Sequence, residues 1–250
     1  MLDVLDLFKP GMPAIDIEGI CRLLDYAPAS SYRYVRELCD VGLLVRLPGG
    51  YALGPRIIEL DLQMREEDPL LNTSRELMET LAAETGLNVL LSELYGNTVI
   101  NVHQEHGRET DALRFGRGRP MALFRSATAR VILAHLPARQ LRRVYDDNAE
   151  HPDVLRLGDN WKSFAKAMLD TRKRGYSVSE GDLDNGKAGI AAPIFDGKRV
   201  LGSITAVGSY ERFHGFNESY LATQVLEVAA EITRRIGQDA GVQPQAVAPV

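Results

Sequence analysis

Cysteine is scarce in this chain, and its scarcity excludes several kinds of protein. Only Cys21 and Cys39 occur among 250 residues. Both lie on the apolar faces of short helical patterns, which is typical of buried thiols and not of a disulfide or a zinc site. No apolar run reaches the roughly 18 to 20 residues that cross a bilayer, and the start has neither the basic flank nor the apolar core of a signal peptide. These absences predict a cytoplasmic protein that does not associate with membranes.

Signatures of catalysis are also lacking. The sequence has no Ser-His-Asp elbow, no phosphate-binding glycine loop and no paired cysteine motif. His103, Glu105 and His106 stand close together at the end of a predicted strand, and strand alternation continued through them places His106 on the opposite face from the other two, which argues against a metal site. We therefore expect no enzyme activity, no cofactor and no metal. An enzyme, or a protein-interaction adaptor, built on the second half of the chain is the alternative interpretation.

What the chain does contain is an ordinary globular composition, with 45% hydrophobic and 25% charged residues. It is long enough for two modest domains. The most informative segment covers residues 16–53. There Ile17, Ile20 and Leu24 share one face of a helix that Asp16 can cap. The following residues up to Pro28 interrupt this helix, because proline lacks an amide donor and disfavours helical angles in its predecessor.

A second helix follows, with Ser30 or Ser31 as its cap and Gly42 at its end, where a left-handed residue suits glycine. Its buried face carries Ser31, Val35, Leu38 and Cys39. A hairpin then forms from residues 43–47 and 51–53 around the turn Pro48-Gly49-Gly50. Two helices, a tight turn and a hairpin wing are typical of a winged helix-turn-helix, a fold that reads DNA. We assign this domain to residues 1–54.

Double-stranded DNA is the expected partner of this first domain. The exposed face of the second helix begins with small residues, which allow a helix end to approach base edges and phosphates, and we expect Ser30 and Arg33 to make the leading contacts. Arg46 and Tyr51 of the wing would touch the sugar-phosphate backbone. The domain carries five basic and seven acidic side chains, so the attraction must come from arginines gathered on one face. The predicted DNA contacts are Ala29, Ser30, Ser31, Arg33, Tyr34, Arg36, Arg46 and Tyr51.

A linker helix is predicted within residues 55–69, from Arg56 to Glu67. It carries more apolar residues than a short linker in a monomer can bury, which indicates packing against a second copy of the chain. Packing against its own domains is the alternative. The apolar residues are Ile57, Ile58, Leu60, Leu62 and Met64.

The second domain, residues 70–237, mixes helical and strand patterns. A helix capped by Thr73 or Ser74 ends at Gly86, and a final helix runs over residues 217–236. Runs of strands interrupted by helices describe an α+β domain with a largely antiparallel sheet. The polar, proline-containing residues 238–250 are expected to be a disordered tail. Strands are predicted at 88–94, 99–104, 111–115, 176–179, 188–195 and 199–207, and further helices at 126–136, 138–147 and 160–174.

Several motifs, in this order and spacing, resemble the IclR family of bacterial transcriptional regulators. The resemblance covers nearly all of the chain up to Gly237. It implies a winged helix-turn-helix, a linker helix used for dimerisation, and a GAF-like domain that binds a small effector, with dimers or tetramers as the usual assemblies. The motifs are Ala27-Pro28-Ala29-Ser30-Ser31-Tyr32-Arg33-Tyr34-Val35, Cys39-Asp40-Val41-Gly42-Leu43-Leu44, Gly50-Tyr51-Ala52-Leu53-Gly54-Pro55-Arg56, Phe124-Arg125-Ser126-Ala127-Thr128-Ala129-Arg130, Gly175-Tyr176 and Gly189-Ile190-Ala191-Ala192-Pro193-Ile194-Phe195.

The chain departs from the family pattern at several points. Its first helix, residues 2–8, is short. Phe124 stands where many members have histidine, and Gly189 stands where a pocket cysteine is frequent, which together suggest room for a bulky, aromatic ligand. Carried over position by position, the resemblance implies an effector pocket formed by Phe124, Arg125, Ser126, Ala127, Thr128, Ser179, Glu180, Gly189, Ile190 and Thr205.

The helix beginning at Ser126 also favours a particular ligand chemistry. Its first backbone amides and the positive end of its dipole suit a carboxylate, and Arg125 could bind one with two parallel hydrogen bonds. A surface ion pair is the alternative role for Arg125. We therefore expect the effector to be a small organic acid.

Overall fold

The computed structural model of the chain describes residues 1–108, 116–182 and 184–239. The chain divides into two compact units, Met1–Asp68 and a second unit that begins at Pro69. The segment predicted as a linker therefore falls almost entirely in the first unit. The finer division at residues 54, 69 and 237 stays a prediction. No helix within the described ranges is long and apolar enough to cross a membrane.

The first unit contains the predicted pair of helices. After a 3₁₀ helix, Leu2–Leu7, come α1 (Ile17–Leu24) and α2 (Pro28–Asp40). Asp16 caps α1 as predicted, because its carboxylate accepts a hydrogen bond of 2.7 Å from the amide of Gly19. The predicted cap of α2 is wrong: this helix begins at Pro28, behind Ala27, and not at a serine. Proline is favoured at the first helical position, since its missing N–H would have no partner there and its φ angle already fits.

The wing is an antiparallel hairpin of β1 (Leu44–Leu47) and β2 (Gly50–Leu53). Its turn passes through Gly49, whose φ of +91° is unfavourable for side-chain-bearing residues. Ile15, which precedes α1, exchanges two backbone hydrogen bonds with Tyr51 of β2, at 2.9 and 2.8 Å. The wing is therefore joined to the segment that leads into the helix pair. The core of the unit consists of Val4, Ile15, Ile20, Val35, Leu38 and Leu44.

The last helix of this unit, α3 (Arg56–Glu67), begins behind Pro55. Its apolar side chains remain open to solvent in the single chain, and none of its residues is buried in the described structure. Ile58 is 74% exposed and Met64 is 59% exposed. The helix therefore presents an apolar surface that the described part of one chain does not cover.

The second unit is built on a five-stranded antiparallel sheet with the order β4-β3-β7-β6-β5. The prediction of an α+β domain with an antiparallel sheet is confirmed, although each strand differs by a few residues from its predicted bounds. The strand predicted at residues 111–115 lies outside the described residues. The strands are β3 (Asn88–Tyr95), β4 (Thr98–Glu105), β5 (Ser177–Glu180), β6 (Lys187–Asp196) and β7 (Arg199–Ser209).

Helices cover both faces of this sheet. Strand alternation sends Ile190 and Ala192 into the core beneath α4 and α10, and sends the intervening Ala191 into the core that contains α5 and α8 residues. One strand, β6, thus supplies both cores. The helices are α4 (Pro69–Thr85), α5 (Ala127–Leu133), α6 (Ala138–Asp146), α7 (Pro152–Leu155), α8 (Trp161–Arg174), α9 (Tyr210–His214) and α10 (Glu218–Asp239).

Three predictions about these helices need correction. Thr73 and Ser74 do not cap α4, because the helix begins earlier and their hydroxyls donate to the carbonyls of Pro69 and Leu70 within its first turn. The short helices α7 and α9 were not predicted, since each is too brief to show a helical period. The last helix extends through Asp239, so the predicted tail begins later than residue 238. Residues 240–250 of that tail lie outside the described residues.

Candidate functional site

The exposed face of α2 carries most of the predicted DNA contacts. Ala29, Arg33 and Arg36 are exposed, while Ser30 and Tyr34 are half-buried. The first turn of α2 contains no acidic residue. The positive end of the helix dipole therefore has no carboxylate of its own first turn to neutralise it.

Aromatic packing fixes one side of this face. The Tyr34 ring lies edge-on to the Tyr26 ring, with centroids 5.5 Å apart, and the Arg33 guanidinium lies 5.1 Å from the centroid of Tyr34. The Tyr26 hydroxyl in turn donates to Asp3 at 2.6 Å, and this hydrogen bond raises the pKa of Tyr26. A cation–π contact limits the positions that a long side chain can adopt. The Arg33 guanidinium is therefore held beside α2.

The placement of Ser31 among the DNA contacts is wrong. Ser31 is fully buried, and its hydroxyl accepts a hydrogen bond of 3.2 Å from the thiol of Cys21. Ser31 lies on the same helical face as the core residues Val35 and Leu38, which contact α1 and the wing. It joins the two helices and has no surface to offer a partner.

The wing brings its two predicted contact residues together. Arg46 of β1 and Tyr51 of β2 are directly opposite each other across the hairpin. Arg46 is exposed, and Tyr51 is half-buried because it packs on the core of the unit. The wing therefore presents the cation of Arg46 to solvent, with the ring of Tyr51 beside it.

In the second unit, a cleft opens between α5, the start of β6 and the facing strands. Its cavity volume is about 40 Å³. The hydroxyls of Thr128 and Thr205 lie 2.9 Å apart in this region, and Ser203 donates to the backbone carbonyl of Thr128 at 3.2 Å. We call this space the effector cleft. It is lined by Leu90, Met121, Ala127, Thr128, Ser179, Asp182, Asp184, Lys187, Ala188, Gly189, Thr205 and Val207.

Half of the predicted pocket residues line this cleft, namely Ala127, Thr128, Ser179, Gly189 and Thr205. A Cβ atom built on Gly189 would lie 3.4 Å from both the carbonyl oxygen of Ala206 and the Cβ of Val207. These distances are ordinary contacts. Gly189 therefore lines the cleft at a position where a larger side chain would take up part of its space.

The other predicted pocket residues lie elsewhere. Phe124 is 5% exposed and packs against the rings of Phe164 and His151, at 6.2 and 6.0 Å between centroids. Ile190 points to the opposite face of the sheet, as strand alternation requires of the neighbour of Gly189. Neither side chain lines the cleft, because each is part of a hydrophobic core.

Ser126, Glu180 and Arg125 also require correction. The buried Ser126 hydroxyl caps α5 by accepting from the amide of Ala129 at 3.0 Å. Glu180 is exposed and lies 3.8 Å from His214, and Arg125 approaches Asp153 at 3.9 Å. The sequence suggested that the amides of Ser126, Ala127 and Thr128 receive a carboxylate, but the amide of Ser126 donates to the carbonyl of Ala122 at 3.1 Å, so the start of α5 offers less to an anion than expected.

The comparison with known families decides what kind of protein this is. The family model described as "Bacterial transcriptional regulator IclR C-terminal" matches residues 63–234, more than half of the chain. The chain belongs to the IclR family. It is a DNA-binding transcriptional regulator of the IclR type.

Relatives of full length support this membership of the IclR family. The HTH-type transcriptional regulator KipR of Bacillus subtilis is 28% identical over 231 residues, which cover 90% of this chain and 91% of KipR. The crystal structure of an IclR family transcriptional regulator from Brucella abortus has the same fold, with a TM-score of 0.77, 19% identity and coverage of 94% of this chain and 89% of that one. An IclR homologue from Microbacterium hydrocarbonoxydans, crystallised with 4-hydroxybenzoate, has a TM-score of 0.71 at 21% identity, covering 93% of this chain and 95% of that one.

Several residues of the cleft in this IclR-type chain escaped sequence reasoning. Asp182 and Asp184 follow β5, and Lys187 begins β6, so these residues line one cleft only after β5 and β6 have paired. Asp182 follows closely behind the predicted pocket residues Ser179 and Glu180, and this closeness in sequence was the available signal. No comparable signal marked Leu90 or Met121, which look like ordinary core residues in the sequence.

The histidine cluster does not assemble a metal centre among the described residues. No group of three or more His, Cys, Asp or Glu side chains in those ranges is placed to hold a metal ion. His103 and Glu105 contact each other on one face of β4, with Nε2 and Oε1 2.5 Å apart, while His106 faces Gln104 instead. The geometry thus follows strand alternation, with an isolated pair on one side.

Proposed function

We propose that this IclR-type regulator contacts operator DNA through α2 and the wing, and that a small organic acid bound in the effector cleft modulates its activity. The proposed DNA contacts are Ala29, Ser30, Arg33, Tyr34, Arg36, Arg46 and Tyr51. The observation that carries the effector half of the proposal is the cleft itself, a narrow space of about 40 Å³ bounded by apolar walls and paired threonine hydroxyls.

The DNA half rests on the chemistry of the exposed α2 face. Arg33 and Arg36 are exposed cations on a helix whose first turn carries small side chains and no acid. Guanidinium groups can bind phosphates or the major-groove edge of guanine with two hydrogen bonds. Arg36 also lies 3.8 Å from Asp40, an exposed ion pair that is weak enough to exchange for a phosphate. We therefore assign Arg33 to reading and Arg36 to positioning.

Gel shift with DNA from upstream of the chain's own gene tests this assignment. Arg33→Ala should weaken specific binding about tenfold or more, since one good base contact contributes about 1–3 kcal/mol of discrimination. Arg199→Ala is the matched control, because Arg199 is an exposed arginine with an aspartate partner at 3.8 Å in the second unit. Equal affinity of both variants and wild type, or binding that is insensitive to salt, would refute the assignment and favour a protein-interaction adaptor.

The effector half rests on what the cleft can recognise. Leu90, Met121 and Val207 offer an apolar wall to a ring or chain, and Lys187 is the basic residue of the lining, beside the carboxylates of Asp182 and Asp184. The hydroxyls of Thr128 and Thr205 can donate to or accept from a ligand hydroxyl. A hydroxylated aromatic acid combines these features, and 4-hydroxybenzoate is bound by the Microbacterium relative. We propose this class of ligand for the effector cleft.

Isothermal titration with a panel of aliphatic and aromatic acids, including 4-hydroxybenzoate, tests the proposal. Gly189→Leu should abolish binding, because its side chain would fill the cleft while its Cβ fits without a clash. Gly237→Leu is the matched control, since a Cβ at Gly237 has no neighbour within 4 Å. Heat from no acid at all, or equal binding by Gly189→Leu, would remove the support for the effector cleft.

The uncovered apolar side chains of α3 support a homodimer or a tetramer. A pair of subunits would present two copies of α2 to successive major grooves, about 34 Å apart. Sedimentation of Ile58→Glu tests this, since a buried charge in a dimer contact should shift the protein toward monomer. A wild-type monomer at micromolar concentration would contradict the proposed assembly.

The proposal further places the protein in the cytoplasm, where DNA is accessible, and assigns it no catalytic step and no cofactor.

A further inference from the structure

A second cavity in the C-terminal unit is lined mainly by charged side chains. It lies beside the effector cleft, and its cavity volume is about 120 Å³. Three arginines reach it from different elements: Arg125 precedes α5, Arg130 lies within α5, and Arg156 follows α7. We call it the arginine pocket. Its lining residues are Phe124, Arg125, Arg130, Asp153, Arg156, Leu157 and Asp182.

The two carboxylates of the pocket differ in how many of these arginines they contact. Asp182 accepts a hydrogen bond of 3.1 Å from Arg156 and lies 3.7 Å from the guanidinium of Arg130. Arg130 also donates to the backbone carbonyl of Val178. Asp153 lies 3.9 Å from Nε of Arg125, too far for a hydrogen bond. Three guanidinium groups thus face two carboxylates, which leaves the lining one positive charge in excess.

The arginine pocket also contains hydrogen-bond donors that lack acceptors. The Nε atoms of Arg125 and Arg130 are both buried, and neither has a hydrogen-bond partner among the described residues. Buried charged donors rarely remain without an acceptor in folded proteins. Burial lowers the pKa of Arg130, and Asp182 opposes this shift. An anion in the pocket would supply the missing negative charge.

We propose that the arginine pocket is a second anion-binding site, distinct from the effector cleft, for a phosphate group. Phosphate suits three arginines better than a single carboxylate does, because its oxygens point in four directions and can accept from donors on several sides. The group can come from free inorganic phosphate or from a phosphorylated metabolite. Nothing in this assignment depends on the proposed effector.

Asp182 gives the site a regulatory consequence, which rests on the proposed function. This carboxylate lines both the arginine pocket and the effector cleft. A phosphate that engages Arg130 and Arg156 competes with Asp182 for the same cations, so the negative charge of Asp182 becomes less compensated. An organic acid in the neighbouring cleft should then bind more weakly, and by linkage the acid should weaken phosphate binding by the same factor.

Isothermal titration of the full chain with sodium phosphate, at an ionic strength held constant with chloride, tests the site. We expect saturable binding of one phosphate per chain, weakened about fivefold or more by Arg156→Gln, because one charge-assisted hydrogen-bond donor is lost. Arg156 is 62% exposed, so this variant should fold, which its melting temperature in phosphate-free buffer checks. Arg199→Gln, which alters an arginine that is 75% exposed, is the control and should bind as wild type does.

Several outcomes distinguish the phosphate site itself from its coupling to the effector cleft through Asp182. Absence of saturable binding at millimolar phosphate, or equal weakening by Arg156→Gln and Arg199→Gln, overturns the phosphate site. If Arg156→Gln proves unstable, Arg125→Gln replaces it with the same expectation. Tighter binding of glycerol phosphate than of inorganic phosphate identifies a metabolite as the source, and the reverse order identifies the free ion. If phosphate binds but leaves the affinity for the organic acid unchanged, the coupling through Asp182 is overturned. If no organic acid binds, the proposed function fails while the phosphate site stands.

Discussion

Replacing Thr205 by valine is expected to destabilise the second unit, although the two side chains have nearly the same shape. Thr205 is 3% exposed, Thr128 is 2% exposed, and their hydroxyls lie 2.9 Å apart. The valine variant leaves the Thr128 hydroxyl buried without this partner. Because an orphaned buried polar group costs about 1–3 kcal/mol, we expect the free energy of unfolding to fall by about 1.5 kcal/mol.

The double variant provides the stronger test of this hydrogen bond. Thr128→Val together with Thr205→Val removes both hydroxyls, so no orphaned group remains, and the double loss should be smaller than the sum of the single losses by about 1 kcal/mol. Urea unfolding can be followed through Trp161, the single tryptophan of the chain, which lies at the start of α8 in the same unit. The slope of the unfolding curve should not change.

Thr223→Val is the matched control for this cycle. Thr223 is exposed on α10, and its hydroxyl donates to the backbone carbonyl of Ser219 at 2.9 Å. Its replacement should change the stability by less than about 0.5 kcal/mol. Additive losses in the Thr128 and Thr205 cycle, or a Thr205→Val variant as stable as wild type, would show that the two hydroxyls do not depend on each other.

Other predictions concern the first unit and one surface ion pair. Asp16→Ala should lower the stability of the first unit by about 1 kcal/mol through loss of the α1 cap, measured by amide hydrogen exchange, whereas Asp16→Asn should retain most of it. Gly54→Ala should disrupt the junction of wing and α3, because the new Cβ would lie 2.1 Å from the carbonyl oxygen of Gly42; circular dichroism and gel shift would detect the loss. Hydrogen bonds, foremost from Arg234, lower the pKa of Glu231 to about 2, so its contribution is present above the ordinary glutamate pKa and is lost as the pH falls toward about 2. Glu231→Gln should flatten the pH dependence of stability in that range, and an unchanged acid unfolding curve would contradict this.

Elements whose signals are local could be predicted from the sequence. Asp16 caps α1 as expected, and α8 begins behind Asn160 and ends at Gly175, whose φ is +83°. Each of these signals acts within a few residues of itself, so no knowledge of the rest of the fold is needed. The wing was equally predictable, because a glycine turn separates its two strands.

The site could be predicted only in part, because its residues meet through the sheet. Thr128 and Thr205 are distant in sequence and come together where α5 packs on β7. Phe124 was placed in the pocket by resemblance alone, and the buried ring shows that a matching motif position does not fix where a side chain points. Ser31 is different, since its spacing from Val35 and Leu38 already indicated a core position and excluded a DNA contact.

The paired hydrogen bonds between Ile15 and Tyr51 have a mechanical consequence. They pair the residue before α1 with the edge of the wing hairpin, so the hairpin cannot move away from the two helices unless these hydrogen bonds break. In the proposed dimer, a ligand would then change the distance between the two DNA-binding units and leave the arrangement of wing and helices within each unit unchanged.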